Sequence, residues 1–305
     1  MDRMNRISFL IILSILYIDV RFLEGFIMAD KIRVGNAEIV FALDMIPPPR
    51  PPDAFFEGVT AADWEPYKDI LEDGQIQLYY GHFFVRSMGK TVMVDTGMGP
   101  GPHPDRGNIR GDLLNAIRAQ GASPEDIDIV AHTHLHADHV GWNIDHTGDS
   151  PKPYFPNARY LVPRLDWEHF TQPQHLAYSP QVHDSVIPLE ELGLMDLVDD
   201  GHHITEEMTT LDTPGHTPGH QIILISSQGE KAMIVGDAIH SSVQIQEPDW
   251  CAGVDTSKPD SRRSRHGILQ RAEDEDYVIA AGHFHPQQHI GKVIRSNGRR
   301  YWQAL

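Results

Sequence analysis

The densest group of metal-ligand side chains lies near the middle of the chain, where His134, His136, Asp138 and His139 fall within six residues. In an extended segment, His134 and His136 project to the same side, so both can bind one metal ion. Asp138 and His139 follow after a turn, and their offset directs them to a second ion nearby. The alternative, surface histidines at a helix N-terminus capped by Asp138, is disfavoured because an apolar strand-like run leads directly into the cluster.

Three further ligand-type residues occupy comparable positions. Asp237 follows the apolar run 234–236, and His283 follows the run 279–282. His216 lies in a Pro/Gly-rich turn just after a strand-like run. Loops at strand ends bring side chains from distant parts of a sequence to one point. We therefore expect these residues to join the first cluster in one metal site.

Short apolar runs bounded by turn residues alternate with helical patterns from about residue 30 onwards. Three consecutive prolines at 47–49 exclude a helix or a central strand, so the aromatic, Pro-rich segment 45–66 is predicted to be an extended loop. The interleaving predicts an α/β architecture with internal sheets and outer helices. Predicted strands are 39–43, 75–87, 91–94, 127–131, 159–162, 208–211, 221–226, 231–235 and 277–281, predicted helices are 111–120 and 262–272, and 164–200 is predicted to be helical or irregular.

The net charge and the composition of the chain limit the classes of partner that it is expected to bind. The 305 residues carry a formal net charge of −18, which disfavours nucleic acid because phosphate binding needs clustered Lys and Arg. A small-molecule substrate is compatible with this charge. Cys251 is the only cysteine, so no internal disulfide and no Cys-based zinc site is expected.

The N-terminal residues 1–27 differ from the rest of the chain. Basic residues precede the apolar run 7–18, which is too short to span a bilayer as a helix. Three interpretations stay open: an upstream extension before a working start at Met28, an uncleaved membrane anchor, or a weak signal peptide. Membrane contact is expected only if 7–18 is an anchor, and a cytoplasmic location is favoured if translation starts at Met28. Residues 28–305 are predicted to form one domain.

The ordered motifs resemble those of the metallo-β-lactamase superfamily. The resemblance rests on HLHADH at 134–139, TPGHTPGH at 213–220, IVGDAIH at 234–240 and AAGHFHP at 280–286, together with an early Asp-Thr-Gly turn at 95–97. It covers about residues 76–290 and implies a four-layer αβ/βα sandwich with metals at one edge of the paired sheets. The early turn is expected to support the site from behind the ligands.

The same resemblance implies a ligand set for two divalent metal ions. Zn²⁺ is the first expectation, and the absence of thiolate leaves Mn, Fe, Co and Ni open. A hydroxide shared by the two ions is expected to attack an ester-type bond, with Asp138 orienting it as well as binding metal. The implied ligands are His134, His136 and His216 for one ion, Asp138, His139 and His283 for the other, and Asp237 bridging both.

The local sequence looks most like the methyl parathion hydrolase branch, whose members include lactonases and phosphotriesterases. A lactonase acting on acyl-homoserine or related lactones, with possible phosphotriesterase activity, is therefore expected. His240 stands where several homoserine-lactone lactonases place a substrate-contacting Tyr, so His240 is either a substrate hydrogen-bond donor or a packing residue. His220 is expected to support a ligand. The segment 45–66 resembles a region that covers the pocket or forms a homodimer contact, although a simple packing arm is the alternative.

Two other functions stay open at this point. A glyoxalase II-like thioesterase has the same metal ligands, but no basic C-terminal segment suited to glutathione is evident in this sequence. A non-hydrolytic metal-binding protein for redox chemistry or sensing is the second alternative. Metal content distinguishes it from a hydrolase, because a single iron with oxygen uptake would exclude a two-metal hydrolase.

Overall fold

The computed structural model of the protein describes residues 30–305. The predicted N-terminal segment 1–27, including the apolar run 7–18, lies outside the described residues, so its role and the domain division at residue 28 stay predictions. Among residues 30–305, no helix combines the length and the apolar character needed to cross a bilayer.

Strands and helices alternate along the described chain, as predicted. The strands are β1 (Lys31–Val34), β2 (Ala37–Met45), β3 (Tyr80–Ser87), β4 (Lys90–Val94), β5 (Ile129–Ala131), β6 (Ile144–Asp145), β7 (Lys152–Pro153), β8 (Arg159–Pro163), β9 (Met195–Val198), β10 (Met208–Asp212), β11 (Gln221–Ser227), β12 (Glu230–Ile234), β13 (Val278–Ala280), β14 (Ile290–Ser296) and β15 (Arg299–Ala304).

The helices of the described chain are mostly short, and most of them cover the outer faces of the sheets. They are α1 (Leu113–Ala119), α2 (Ala137–Val140), α3 (Arg164–Phe170), α4 (Pro173–Leu176), α5 (Pro180–Ser185), α6 (Ile187–Glu191), α7 (Val243–Gln246) and α8 (Lys258–Asp274). Proline stands in the first turn of α4, α5, α6 and α8, where its missing N–H costs no helical hydrogen bond.

Two mixed sheets face each other. Between residues 30 and 305, one sheet has the strand order β1-β2-β3-β4-β5-β8-β9 and the other has the order β10-β11-β12-β13-β14-β15. β4, β5, β8 and β9 run parallel in the first sheet, and β12 runs parallel to β13 in the second. Parallel neighbours place their carboxyl ends at the same edge of a sheet, which is where ligand-binding loops gather.

The apolar side chains fill three layers of core. Phe83 and Val94 of the first sheet pack against Ile223 and Ile234 of the second, because alternate residues of each strand point inward. Leu113 of α1 covers the outer face of the first sheet, and α8 covers the outer face of the second. The result is helix, sheet, sheet, helix, which confirms the four-layer αβ/βα sandwich.

Several sequence-based boundaries were wrong at the sheet edges. β1, β9, β14 and β15 were not predicted, and residues 75–79 do not belong to a strand. β14 and β15 are largely exposed beyond their first residues, so polar and charged side chains obscure the period-two pattern. Residues 75–79 instead form an extended approach to β3, with one isolated bridge between Arg50 and Ile76.

The two sheets come closest beside the predicted metal site. Gly81 of β3 donates its N–H to the carbonyl of Gly282, which directly precedes His283, at 3.2 Å. A Cβ on Gly282 would lie 2.0 Å from the Gly81 carbonyl oxygen, so only glycine permits this approach. The contact fixes the loop that carries His283 against the first sheet.

Candidate metal centre

The predicted ligands converge at one edge of the sandwich. His134 follows β5, and the short helix α2 begins just after His136. Asp237 lies in the turn after β12, and His283 follows β13. His216 comes from the loop between β10 and β11. Loops that are 80 residues or more apart in sequence, such as those of His136 and His216, therefore meet at hydrogen-bond distance.

Asp237 stands between two groups of imidazoles. Its Oδ2 lies 3.1 Å from His216 Nε2 and 3.7 Å from His134 Nε2. Its Oδ1 lies 3.1 Å from His139 Nε2 and 2.9 Å from His283 Nε2. Each carboxylate oxygen thus faces a different group of histidines, which is the arrangement that a carboxylate bridging two cations requires.

The groups around the two oxygens match the two ligand sets expected from the sequence. His134, His136, His216 and Asp237 each offer one ligand atom within 4.8 Å of the others. Asp138, His139 and His283 do the same. The Asp138 side chain keeps 20% of its surface exposed, while the histidines around it are buried. Asp138 is therefore accessible from the cavity.

The donor atoms fit divalent cations. His134 Nε2 and His139 Nε2 are buried without a hydrogen-bond partner in the described part of the chain, which is costly unless another group fills the space. The donors are imidazole nitrogens and carboxylate oxygens, the ligands of Zn²⁺ and related metals. Cys251 is buried elsewhere, near the carbonyl of Lys258, so it takes no part. The clusters are thus sites for divalent metals.

The second ring nitrogen of most ligand histidines is fixed by a neighbour. Such contacts orient a ligand ring and strengthen its metal affinity. The contacts are Asp95 Oδ2 to His139 Nδ1 (2.8 Å), Asp255 Oδ1 to His216 Nδ1 (2.8 Å), the Tyr79 carbonyl to His283 Nδ1 (2.8 Å) and Thr133 Oγ1 to His134 Nδ1 (3.0 Å).

The Asp-Thr-Gly turn lies directly behind the ligands, as expected. Asp95 accepts the backbone N–H of Thr133 at 2.7 Å through Oδ1, and its Oδ2 meets both His139 and the Thr133 hydroxyl. Asp95 adopts a φ of 60°, which turns the chain sharply at the end of β4. One carboxylate therefore positions two ligand-bearing segments.

A buried carboxylate that the sequence did not reveal joins the first cluster to the loop of His216. Asp166 accepts hydrogen bonds from the N–H of Leu135 (3.1 Å), the N–H of Gly219 (2.7 Å) and the hydroxyl of Thr217 (2.9 Å). Burial raises the pKa of Asp166 to about 6, and these donors oppose the rise. Asp166 lies on α3 without any motif around it, so no signal in the sequence pointed to it.

The remaining histidines fall into two groups, those beside Asp237 and those away from it. His220 accepts the N–H of Asp237 at Nε2 (3.0 Å) and meets Thr213 through Nδ1 (2.9 Å), so it supports Asp237, as expected. His240 Nε2 lies 3.3 Å from Asp237 Oδ2. His285 lies against the Tyr79 ring, and His289 stacks on Phe41 at 4.0 Å, away from both ligand groups.

The protonation states of Asp237, His134 and His136 suit metal binding. Burial opposes the charge on Asp237, but the nearby His283 and His139 outweigh it and hold the pKa of this carboxyl well below its usual range. Burial also lowers the pKa of His134, and it lowers that of His136 to about 3. Both imidazoles are therefore neutral, and each keeps a lone pair for a cation.

A cavity of about 260 Å³ opens above the ligands. The Pro-rich segment supplies part of its wall, through Arg50 and Phe55. Phe55 and Phe56 pack with Trp64 and with Val243 of α7 in one apolar cluster, and this packing anchors the Pro-rich segment. The structure therefore favours the pocket-covering interpretation of 45–66 over a simple packing arm.

Comparison with known proteins agrees with this architecture. The family model of the metallo-beta-lactamase superfamily matches residues 83–283. An N-acyl homoserine lactonase, AttM, from Rhizobium radiobacter is 29% identical over 174 residues, which are 56% of this chain and 63% of that protein. The chain thus spans less than two thirds of the length of this curated relative.

Two solved structures share the fold. One is a hydrolase of the beta lactamase superfamily, AbOPH, with a TM-score of 0.78, 22% identity and coverage of 90% of this chain and 96% of that chain. The other is AidC, a dizinc quorum-quenching lactonase in complex with a product, with a TM-score of 0.75, 23% identity and the same coverage. The fold, the ordered ligand motifs and the family match show that this chain belongs to the metallo-beta-lactamase superfamily.

The Asp255 contact generates a prediction for metal affinity. Asp255→Asn keeps the size of the side chain but removes the charge that orients and polarises His216, so the affinity for one of two metal ions should fall about 10–100-fold. Competition against a chromophoric chelator measures this. Asp249→Asn, at an exposed carboxylate 72% accessible, is the matched control and should change nothing. Unaltered affinity in Asp255→Asn would rule out the orienting role.

Proposed function

We propose that this protein is a dinuclear-metal-dependent hydrolase of ester-type bonds, and that acyl-homoserine lactones or related lactones are its substrates. The observation that carries the proposal is Asp237, whose two oxygens face two different histidine pairs. The curated relative AttM is named as an N-acyl homoserine lactonase, which supports the choice of lactones. We propose Zn²⁺ at both positions because all donors are imidazoles and carboxylates.

The proposed ligands divide around Asp237. His134, His136 and His216 would hold one ion, Asp138, His139 and His283 would hold the other, and Asp237 would join both. Divalent cations bound here supply a hydroxide nucleophile near neutral pH and polarise a substrate carbonyl. The exposed part of Asp138 faces the cavity, where it orients the attacking water. Phe55 and the aromatic side chains packed behind it form one wall of the cavity.

His240 is proposed to contact the substrate. Its ring is buried, stacks on His283 at 5.6 Å between centroids and packs edge-on against Phe55. The backbone N–H of His240 donates to Gln244 Oε1 at 2.7 Å, which holds the residue in place, while Nδ1 has no partner among residues 30–305. The side chain also lines the cavity, so it can donate a hydrogen bond to a substrate oxygen.

A substrate panel tests the proposed activity. The metal-loaded protein is assayed with acyl-homoserine lactones, aliphatic lactones, aryl esters, a thioester of glutathione and paraoxon-type phosphotriesters. We expect the highest kcat/KM on lactones, a weaker phosphotriesterase activity, and loss of both with a chelator. Fastest turnover of the thioester would favour the glyoxalase II-like alternative. One iron per chain with oxygen uptake and no hydrolysis would instead favour redox chemistry.

His240→Ala separates substrate contact from metal binding. The variant should keep its metal content, because His240 is outside both proposed ligand sets, and lose about 10–100-fold in kcat/KM, as expected for a lost hydrogen bond in the transition state. Metal analysis and steady-state kinetics on the same sample measure both. His289→Ala, which removes a histidine remote from the cavity, is the control. Wild-type kinetics in His240→Ala would leave only a packing role for this side chain.

We also propose that the protein forms a homodimer, as expected from the sequence. The segment 45–66 is the expected contact, and light scattering of the purified protein measures the oligomeric state. A monomer at all concentrations would leave this segment with its role in the pocket wall alone.

A further inference from the structure

The cavity above the proposed metal centre has an unusual charge distribution for so acidic a protein. Apart from Asp138 and Asp237, its described lining holds no carboxylate, yet it includes two arginines, Arg50 and Arg106. The net charge of the chain is −18, so these cations are placed against the overall trend. Nothing in the proposed hydrolytic chemistry requires them, because divalent cations held by the proposed ligands at the base of the cavity would already polarise the reacting carbonyl.

Arg106 is held in the cavity wall with unused hydrogen-bonding capacity. Its Nη1 pairs with Asp105 Oδ2 at 2.6 Å, and 27% of its side chain is exposed. Its Nε is buried and has no hydrogen-bond partner in the described part of the chain. A buried guanidinium N–H without an acceptor is costly, and the exposed part of the same side chain lines the cavity, where an anionic ligand can accept hydrogen bonds from it.

Arg50 approaches from the opposite element, the Pro-rich segment. Its backbone is fixed to Ile76 by two hydrogen bonds of 2.9 and 2.8 Å. Its guanidinium carbon lies 5.7 Å from the centroid of the Phe55 ring. Arg50 is half-buried and forms no ion pair with a carboxylate of residues 30–305, so its guanidinium is free to pair with an anion. Two arginines on separate, well-anchored segments therefore line one cavity.

Metal binding at the proposed ligands would make the charge of the cavity more positive. Asp138 and Asp237 are the only carboxylates of the described lining, and both are proposed to bind cations. When they do, the negative charges of the cavity lining are neutralised. A guanidinium recognises a carboxylate through paired, charge-assisted hydrogen bonds, and these are stronger than bonds between neutral groups.

We propose that the substrate of this site carries a carboxylate group, which Arg50 and Arg106 bind while the lactone or ester bond lies over the metal centre. This inference rests on the proposed hydrolase function and narrows its substrates to lactones or esters that carry a carboxylate, a group that acyl-homoserine lactones lack. The apolar residues Leu78 and Val254 leave room for the hydrocarbon part of such a molecule between the arginines and the ligands. Arg50 and Arg106 are thus specificity-determining residues.

A matched pair of substrates tests the proposal directly. Two γ-lactones differ only at the end of a short side chain, which is a carboxylate in one and a primary amide in the other. The metal-loaded wild-type protein should prefer the carboxylate by about 10–100-fold in kcat/KM, as charge-assisted hydrogen bonds imply. This preference should shrink as salt is added, because the cavity is open to solvent on one side.

Variants assign the preference to the two arginines. In the double variant Arg50→Gln with Arg106→Gln, the ratio of the two kcat/KM values should fall to about one, whereas Arg50→Lys should retain part of the preference because it keeps the charge. Arg110→Gln is the control, since Arg110 is exposed on the same loop and contacts only the Pro100 and Gly101 carbonyls. Metal content and thermal unfolding of each variant show that the centre and the fold are intact.

The outcomes separate this inference from the function on which it rests. Hydrolysis of both lactones with equal kcat/KM by the wild type would overturn the anionic substrate and leave the lactonase standing. If the protein hydrolyses neither lactone, equilibrium binding of the same two compounds is measured instead. Selective binding of the carboxylate compound, lost in the double variant, without hydrolysis of either lactone would overturn the proposed function and support the recognition site. Equal binding of both compounds without hydrolysis would overturn both.

Discussion

The whole site depends on one buried carboxylate between opposing imidazoles. Moving Asp237 out of water is costly, and the cost is offset only because each oxygen faces its own pair of histidines. Its position is fixed from the backbone, since Gly236 adopts a φ of 47° and a Cβ there would lie 2.8 Å from His220 Nε2. That same His220 nitrogen accepts the Asp237 N–H. A carboxylate held this tightly fixes the distance between the two ligand groups.

Around that carboxylate, further acids hold the ligands from behind. Asp95 and Asp255 each accept from a ligand imidazole, and Asp166 ties the first histidine loop to the loop of His216. His134 and His283 follow β5 and β13, whose inner faces pack into a continuous apolar core, so their rings have little freedom to move. Residues proposed to bind metal thus lie at rigid strand ends. The Pro-rich segment over the cavity contributes the wall that meets the substrate.

The sequence predicted the chemistry better than it predicted the surroundings. The ligand cluster 134–139 was recognisable because several ligand types follow one apolar strand, and Asp237 and His283 repeat that pattern. Asp255 and Asp166 were missed because each is a single acid without a motif around it, Asp255 in a loop and Asp166 on α3, and only the fold brings it to its partners. Arg50 and Arg106 were missed for the same reason, since each lies in a loop whose path depends on tertiary contacts.

Metal content of Asp237→Ala is the measurement that tests the central claim most directly. If one carboxylate joins both cations, removing it should empty both positions, because each position loses a charged ligand and the like charges of two ions are no longer separated by an anion. Elemental analysis of the folded variant beside the wild type should show two metal ions per chain in the wild type and almost none in Asp237→Ala. Full occupancy in the variant would contradict the bridging role.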